Sequence, residues 1–105
     1  MHNRLDALLK FYEKDPSDSF VIYGIALEYI SRQEFDKGEE YLQILIKNDP
    51  KYVPAYMQYA RLMENLNQID DAKKLYRMGI NAARQIGDKE AVKEMEEFLD
   101  ELGGT

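Results

Sequence analysis

The chain has 105 residues, a formal charge of -6, 45% hydrophobic and 32% charged residues, three prolines and no cysteine. That length suits one domain able to bury about two-thirds of its unfolded surface, and the missing cysteines exclude disulfide frameworks, thiolate metal sites and cysteine nucleophiles while fitting a reducing compartment. The acidic balance argues against nucleic acid and anionic membranes as partners, because both are bound by neutralising phosphates with Lys and Arg.

The opening Met1-His2-Asn3-Arg4-Leu5 lacks a long apolar run leading to a small-residue cleavage site, so a cytoplasmic location is expected. Leu5, Leu8, Leu9 and Tyr12 recur at spacings of three and four and predict a first helix over Arg4 to Lys14, stopped by Asp15-Pro16. Ser17 and Asp18 offer caps for a second helix, about Asp18 to Ser31. Its stretch from Phe20 to Ile30 breaks its apolar character only at Gly24 and Glu28. Such a helix is greasy on nearly every side and must be surrounded, yet it is too short to span a bilayer.

After the polar turn Ser31-Arg32-Gln33-Glu34, the residues Gly38, Tyr41, Leu42, Leu45 and Ile46 trace one face of a third helix that Asp49-Pro50 ends. A fourth helix opens near Tyr52, with Pro54 in its first turn, and carries Ala55, Tyr56, Tyr59, Ala60, Leu62 and Met63 up to Asn65-Leu66-Asn67-Gln68. The fifth runs from about Ile69 to Ile86 and stops at Gly87. The sixth, about Asp88 to Leu102, aligns Ala91, Met95, Phe98 and Leu102 beside an acidic stripe of Glu90, Glu94, Glu97 and Glu101. Gly103-Gly104-Thr105 reads as a loose tail.

Asp15-Pro16 and Asp49-Pro50 lie 34 residues apart, and each is followed by helix, four-residue polar turn, helix. Ile22-x2-Ile25-Ala26-x2-Tyr29 matches Tyr56-x2-Tyr59-Ala60-x2-Met63, Gly38-x3-Leu42 matches Ala72-x3-Tyr76, and Phe35-Asp36 matches Ile69-Asp70. This pattern resembles the tetratricopeptide repeat (TPR). The resemblance implies an all-α fold of antiparallel helix-turn-helix repeats, a six-helix fragment of a right-handed superhelix. In it, a single domain over 1-105 holds an N-terminal helix (1-15), two repeats (19-52 and 53-86) and a capping helix (88-102). Small residues belong where paired helices cross, Ala26 with Gly38 and Ala60 with Ala72.

Three departures from the family pattern carry expectations. The turn glycine is Gln33 in the first unit and Asn67 in the second, so a strained or differently shaped first turn is expected. The closing proline is Pro50 in the first unit and Arg84 in the second, so the fifth helix should overrun by a turn. A strict 34-residue register would bury Glu90, Lys93, Glu94 and Glu97, so the sixth helix should shift by about one residue to bury Ala91, Met95 and Phe98.

Parts for catalysis are scarce. His2 is the one histidine, Ser17, Ser19 and Ser31 read as caps and turn residues, and the neighbours Glu39-Glu40, Asp70-Asp71 and Glu96-Glu97 point about 100° apart on a helix. There is no glycine-rich phosphate loop. Tyr29, Tyr41, Tyr59 and Tyr76 occupy core positions of the repeat, and Lys73, Lys74 and Arg77 a solvated face. The expectation is no enzyme, no cofactor and no metal site.

By the same resemblance, the groove-facing residues are Phe20, Tyr23, Leu27, Ile30 and Ser31 in the first unit and Pro54, Met57, Arg61, Glu64 and Asn65 in the second. The positions that would clamp a terminal carboxylate with Lys and Asn are Tyr23 and Leu27 here, which disfavours that ligand. The resemblance therefore implies a non-catalytic protein-interaction module. It would bind a helix or extended peptide through bulky apolar anchors, with Phe20, Tyr23, Leu27, Ile30 and Met57 as apolar contacts and Arg61, Glu64 and Asn65 as polar ones. The alternatives are a homodimer built on the apolar strip of helix 18-31, end helices folded over that strip so that Phe20 and Leu27 are core, or a weak RNA or divalent-metal binder.

Overall fold

The computed structural model describes residues 3-104, so His2, Met1 and Thr105 lie outside the described residues. Six helices follow in order: α1 Arg4–Lys14, α2 Ser19–Ser31, α3 Phe35–Asn48, α4 Val53–Asn65, α5 Ile69–Ile86 and α6 Lys89–Glu101, with no strand among the described residues. The chain divides into two compact units, Met1–Asp49 and Pro50–Thr105. Within the first, α1 packs on α2 and α2 on α3; within the second, α4 packs on α5 and α5 on α6.

Side-chain caps open three of the helices. The Asn3, Asp18 and Asp88 carboxamide or carboxylates accept from the backbone N–H of Asp6, Val21 and Ala91 at 2.9, 3.2 and 3.0 Å, each satisfying a donor the helix leaves orphaned. Ser17 is no cap: its hydroxyl and N–H both donate to the Asp15 carboxylate, which holds that group below its ordinary pKa.

Four helix ends close in the same way. Gln33 (φ 62), Asn67 (φ 60), Gly87 (φ 75) and Gly103 (φ 77) are left-handed. In each case the next N–H bonds back to a carbonyl in the last turn, as Glu34 to Tyr29, Gln68 to Met63, Asp88 to Ala83 and Gly104 to Leu99, at 2.7 to 3.0 Å. The first turn is therefore not differently shaped. Gln33 adopts the geometry of Asn67, and the two hydrogen bonds of the closure hold it against its poorer left-handed propensity. Gly103-Gly104 is not a loose tail either. Gly104 is buried, and a Cβ built on it would lie 2.7 Å from Leu99 Cδ1 and 3.0 Å from Lys73 Cδ.

In the first unit, Leu5, Val21, Ile25 and Tyr29 are buried, and Leu8, Leu9, Tyr12 and Tyr41 pack against them. Tyr41 stacks on Tyr29 and meets Tyr12 edge-on, both at 5.7 Å between centroids. The small-residue crossing is present: a Cβ on Gly38 would sit 3.4 Å from the Ala26 carbonyl and 2.6 Å from Ile30 Cγ1. The second unit buries Tyr56, Tyr59, Ala60, Leu62 and Met63 of α4 against Ala72, Leu75, Tyr76, Gly79, Ile80, Ala82 and Ala83 on α5.

Helix α5 runs 18 residues against 14 for α3, the overrun expected where Arg84 replaces a proline. The expected register of α6 needs correction. Met95 and Leu99 are its buried residues, Ala91, Val92, Phe98 and Leu102 are half-buried, and Glu90, Lys93, Glu94 and Glu97 are exposed. Met95 is thus buried as expected, whereas Ala91 and Phe98 are only half-buried and Leu99 takes an inner place that was not expected of it.

Candidate functional site: an apolar strip and a charged pocket

In the first unit the candidate residues lie on α2. Spacings of three and four place Phe20, Tyr23 and Leu27 on one face. The expectation that α2 is surrounded holds for Val21, Ile22, Ile25, Ala26 and Tyr29 and fails at Phe20, which is 70% exposed. Tyr23 and Leu27 are half-buried. Ile30 is also half-buried, its Cγ1 lying over Gly38 of α3, so it serves the crossing of α2 and α3. The neighbouring Glu28 carboxylate is held by Arg4 at 3.1 Å and reaches Arg32 at 3.9 Å.

In the second unit, three of the four candidates meet in one place. Arg61, Glu64 and Asn65 of α4, Tyr76 of α5, and Phe98 and Glu101 of α6 line an open pocket of about 270 Å³. Tyr76 has no exposed surface, and its hydroxyl donates to Glu64 Oε2 at 2.5 Å. Burial, and then the Glu64 carboxylate, raise that phenol well above its ordinary pKa, so it is a neutral donor. The Arg61 guanidinium lies over the Phe98 ring at 5.1 Å and reaches Glu94 Oε1 at 4.0 Å. Phe98 in turn packs on Tyr76 at 5.7 Å. Met57 is half-buried and is not among the residues that line the pocket.

Sequence reasoning assigned Phe98 to the core and Glu101 to the solvated stripe, and so missed both as site residues. Their spacing of three on α6 was the available signal. Among the described residues, no three His, Cys, Asp or Glu side chains gather in a group able to hold a metal ion, and no helix is long and apolar enough to cross a membrane.

Helical hairpins of matched sequence, with small residues at the crossing and left-handed turn closures, define a helical-repeat protein. A family model for the tetratricopeptide repeat matches residues 29-96, and the chain belongs to that family. It is 26% identical over 98 residues to the TPR repeat-containing protein PA0015 of Pseudomonas aeruginosa, covering 93% of each chain. Among solved structures, a tetratricopeptide repeat domain protein from Salinibacter ruber matches with TM-score 0.79 and 30% identity, over 84% of this chain and 89% of that one. Protein BPP2914 from Bordetella parapertussis matches with TM-score 0.82 and 21% identity, over 98% and 90%. The TPR2B domain of yeast Sti1, in complex with pHsp70, matches with TM-score 0.85 and 14% identity, over 94% and 79%, a likeness of fold alone. TPR folds in general mediate protein-protein interaction.

Proposed function

We propose that the chain is a non-catalytic interaction module that seats a peptide or helix of a partner protein through apolar anchors on Phe20, Tyr23 and Leu27 of α2. The observation that carries this reading is Phe20, a large apolar side chain left 70% exposed beside two half-buried ones on the same helix face. Exposed contiguous apolar surface of this kind marks interaction sites. The resemblance in fold to a TPR domain in complex with pHsp70 supports the class of activity. A homodimer through the same strip is the competing occupant, and bringing two copies of charge -6 together opposes it.

The test compares Phe20→Glu with Phe11→Glu, a control at another exposed phenylalanine, 57% exposed on α1. In pull-downs from native cytosol read by mass spectrometry, Phe20→Glu should lose partners that the native chain and Phe11→Glu retain. Equal capture by all three would overturn the reading. Light scattering over a concentration series should show a monomer, and a Phe20-dependent dimer would put a second copy in the partner's place.

A further inference from the structure

We propose that the pocket in the second unit takes the guanidinium of an arginine side chain from a bound polypeptide. This deepens the interaction reading above and rests on it only for the source of the arginine. The pocket already displays the required contact with its own residue: Arg61 lies over the Phe98 ring at 5.1 Å. A ring face that receives one guanidinium offers the same quadrupole to another.

The charges around the ring also ask for a cation. Glu64 and Glu101 line the pocket, Glu94 approaches the lining residue Arg61 at 4.0 Å, and Arg61 is the one cation among the lining residues. Arg61 leaves these carboxylates in excess, and its tie to Glu94 is loose, at 4.0 Å with a side chain 46% exposed. Glu64 is the carboxylate fixed in place, because the buried Tyr76 hydroxyl bonds one oxygen and orients the group. Its other oxygen keeps acceptor capacity for a guanidinium, whose planar fork suits a carboxylate better than an ammonium does. Asn65 adds a carboxamide at the rim. The site thus selects a sign opposite to that of an acidic peptide, and Arg61 acts as an internal competitor for the ring.

The test titrates isotope-labelled full-length protein with acetyl-arginine amide, following backbone and Arg side-chain NMR signals. Acetyl-citrulline amide and acetyl-glutamate amide serve as uncharged and anionic controls. Arginine should give saturable shifts centred on Arg61, Glu64, Tyr76 and Phe98 with a Kd on the order of 1 mM, as befits a ligand of its size. Citrulline should bind about tenfold more weakly. Glu101→Gln and Glu64→Gln, the second keeping an acceptor for Tyr76, should each weaken arginine binding several-fold with unchanged helicity. Arg61→Ala should tighten it by vacating the ring. Equal shifts from citrulline, shifts spread over unrelated carboxylates such as Glu90, or no saturable shift would overturn the inference. So would binding of the glutamate probe that Arg61→Ala abolishes, which would make the pocket an anion site. None of these outcomes bears on the Phe20 comparison, so failure here leaves the α2 strip standing or falling by its own test.

Discussion

Replacing glycine by alanine at Gly24 and at Gly79 should have opposite effects on stability. Both residues lie inside helices, so each substitution gains the same intrinsic term of about 1 kcal/mol. What differs is the room for a methyl group. At Gly24 a Cβ would lie 3.2 and 3.3 Å from the two terminal methyls of Leu8, a half-buried side chain that yields by a small rotation. At Gly79 it would lie 2.6 Å from Met95 Sδ and 2.8 Å from Tyr56 Cβ. Met95 is fully buried, and Tyr56 Cβ moves only if α4 moves, so overpacking of about 1 to 3 kcal/mol outweighs the propensity gain. Gly24→Ala should therefore gain roughly 0.5 kcal/mol and Gly79→Ala lose roughly 1 kcal/mol. Urea unfolding followed by circular dichroism would read the difference, as would a melting shift of about 4-8 °C per kcal/mol. A Gly79→Ala protein as stable as Gly24→Ala would refute the close packing of α5 against α4 and α6.

Other expectations are as specific. Gln33→Gly should stabilise by about 1 kcal/mol and Asn67→Gly by less, since both positions are left-handed and asparagine tolerates that conformation better; denaturant midpoints would rank them. Phe20→Ser should change stability by no more than about 0.5 kcal/mol, whereas Leu42→Ala, at a fully buried site, should lose about 2-5 kcal/mol in the same assay. The Tyr76 phenol is raised in the folded state, so its contribution is complete below the unfolded value of 10.0 and is lost as pH climbs through the folded one. Native stability should fall above pH 10.0, and Tyr76→Phe should flatten the part of that decline that belongs to this residue.

The helices were legible in the sequence because their stops are chemical. Asp15-Pro16 and Gly87 fix the ends of α1 and α5, and both were placed to the residue. Rotation about a helix axis was less legible. Once α5 overran, nothing local to residues 88-102 decided whether Phe98 or Leu99 would turn inward, and the structure buries Leu99 and leaves Phe98 as a wall. The same rotation hid the pocket, since α4 alone shows three polar residues and only the α6 ring and carboxylate make them a site. Of the two alternatives offered for the turn at Gln33, strain holds and a different shape does not, because two backbone hydrogen bonds keep this residue in the left-handed conformation. Phe20 was legible as a candidate from its position in the repeat, but its exposure was not, because a sequence shows a hydrophobic residue without showing what covers it.

The account rests on α2 being the surface that a partner covers. Hydrogen-deuterium exchange and side-chain footprinting of the chain with and without a captured partner test this most directly. Binding should protect the exposed edge of α2 around Phe20, Tyr23 and Leu27 and leave Phe11 on α1 as accessible as in the free protein. Protection at Phe11 with Phe20 still open would contradict it.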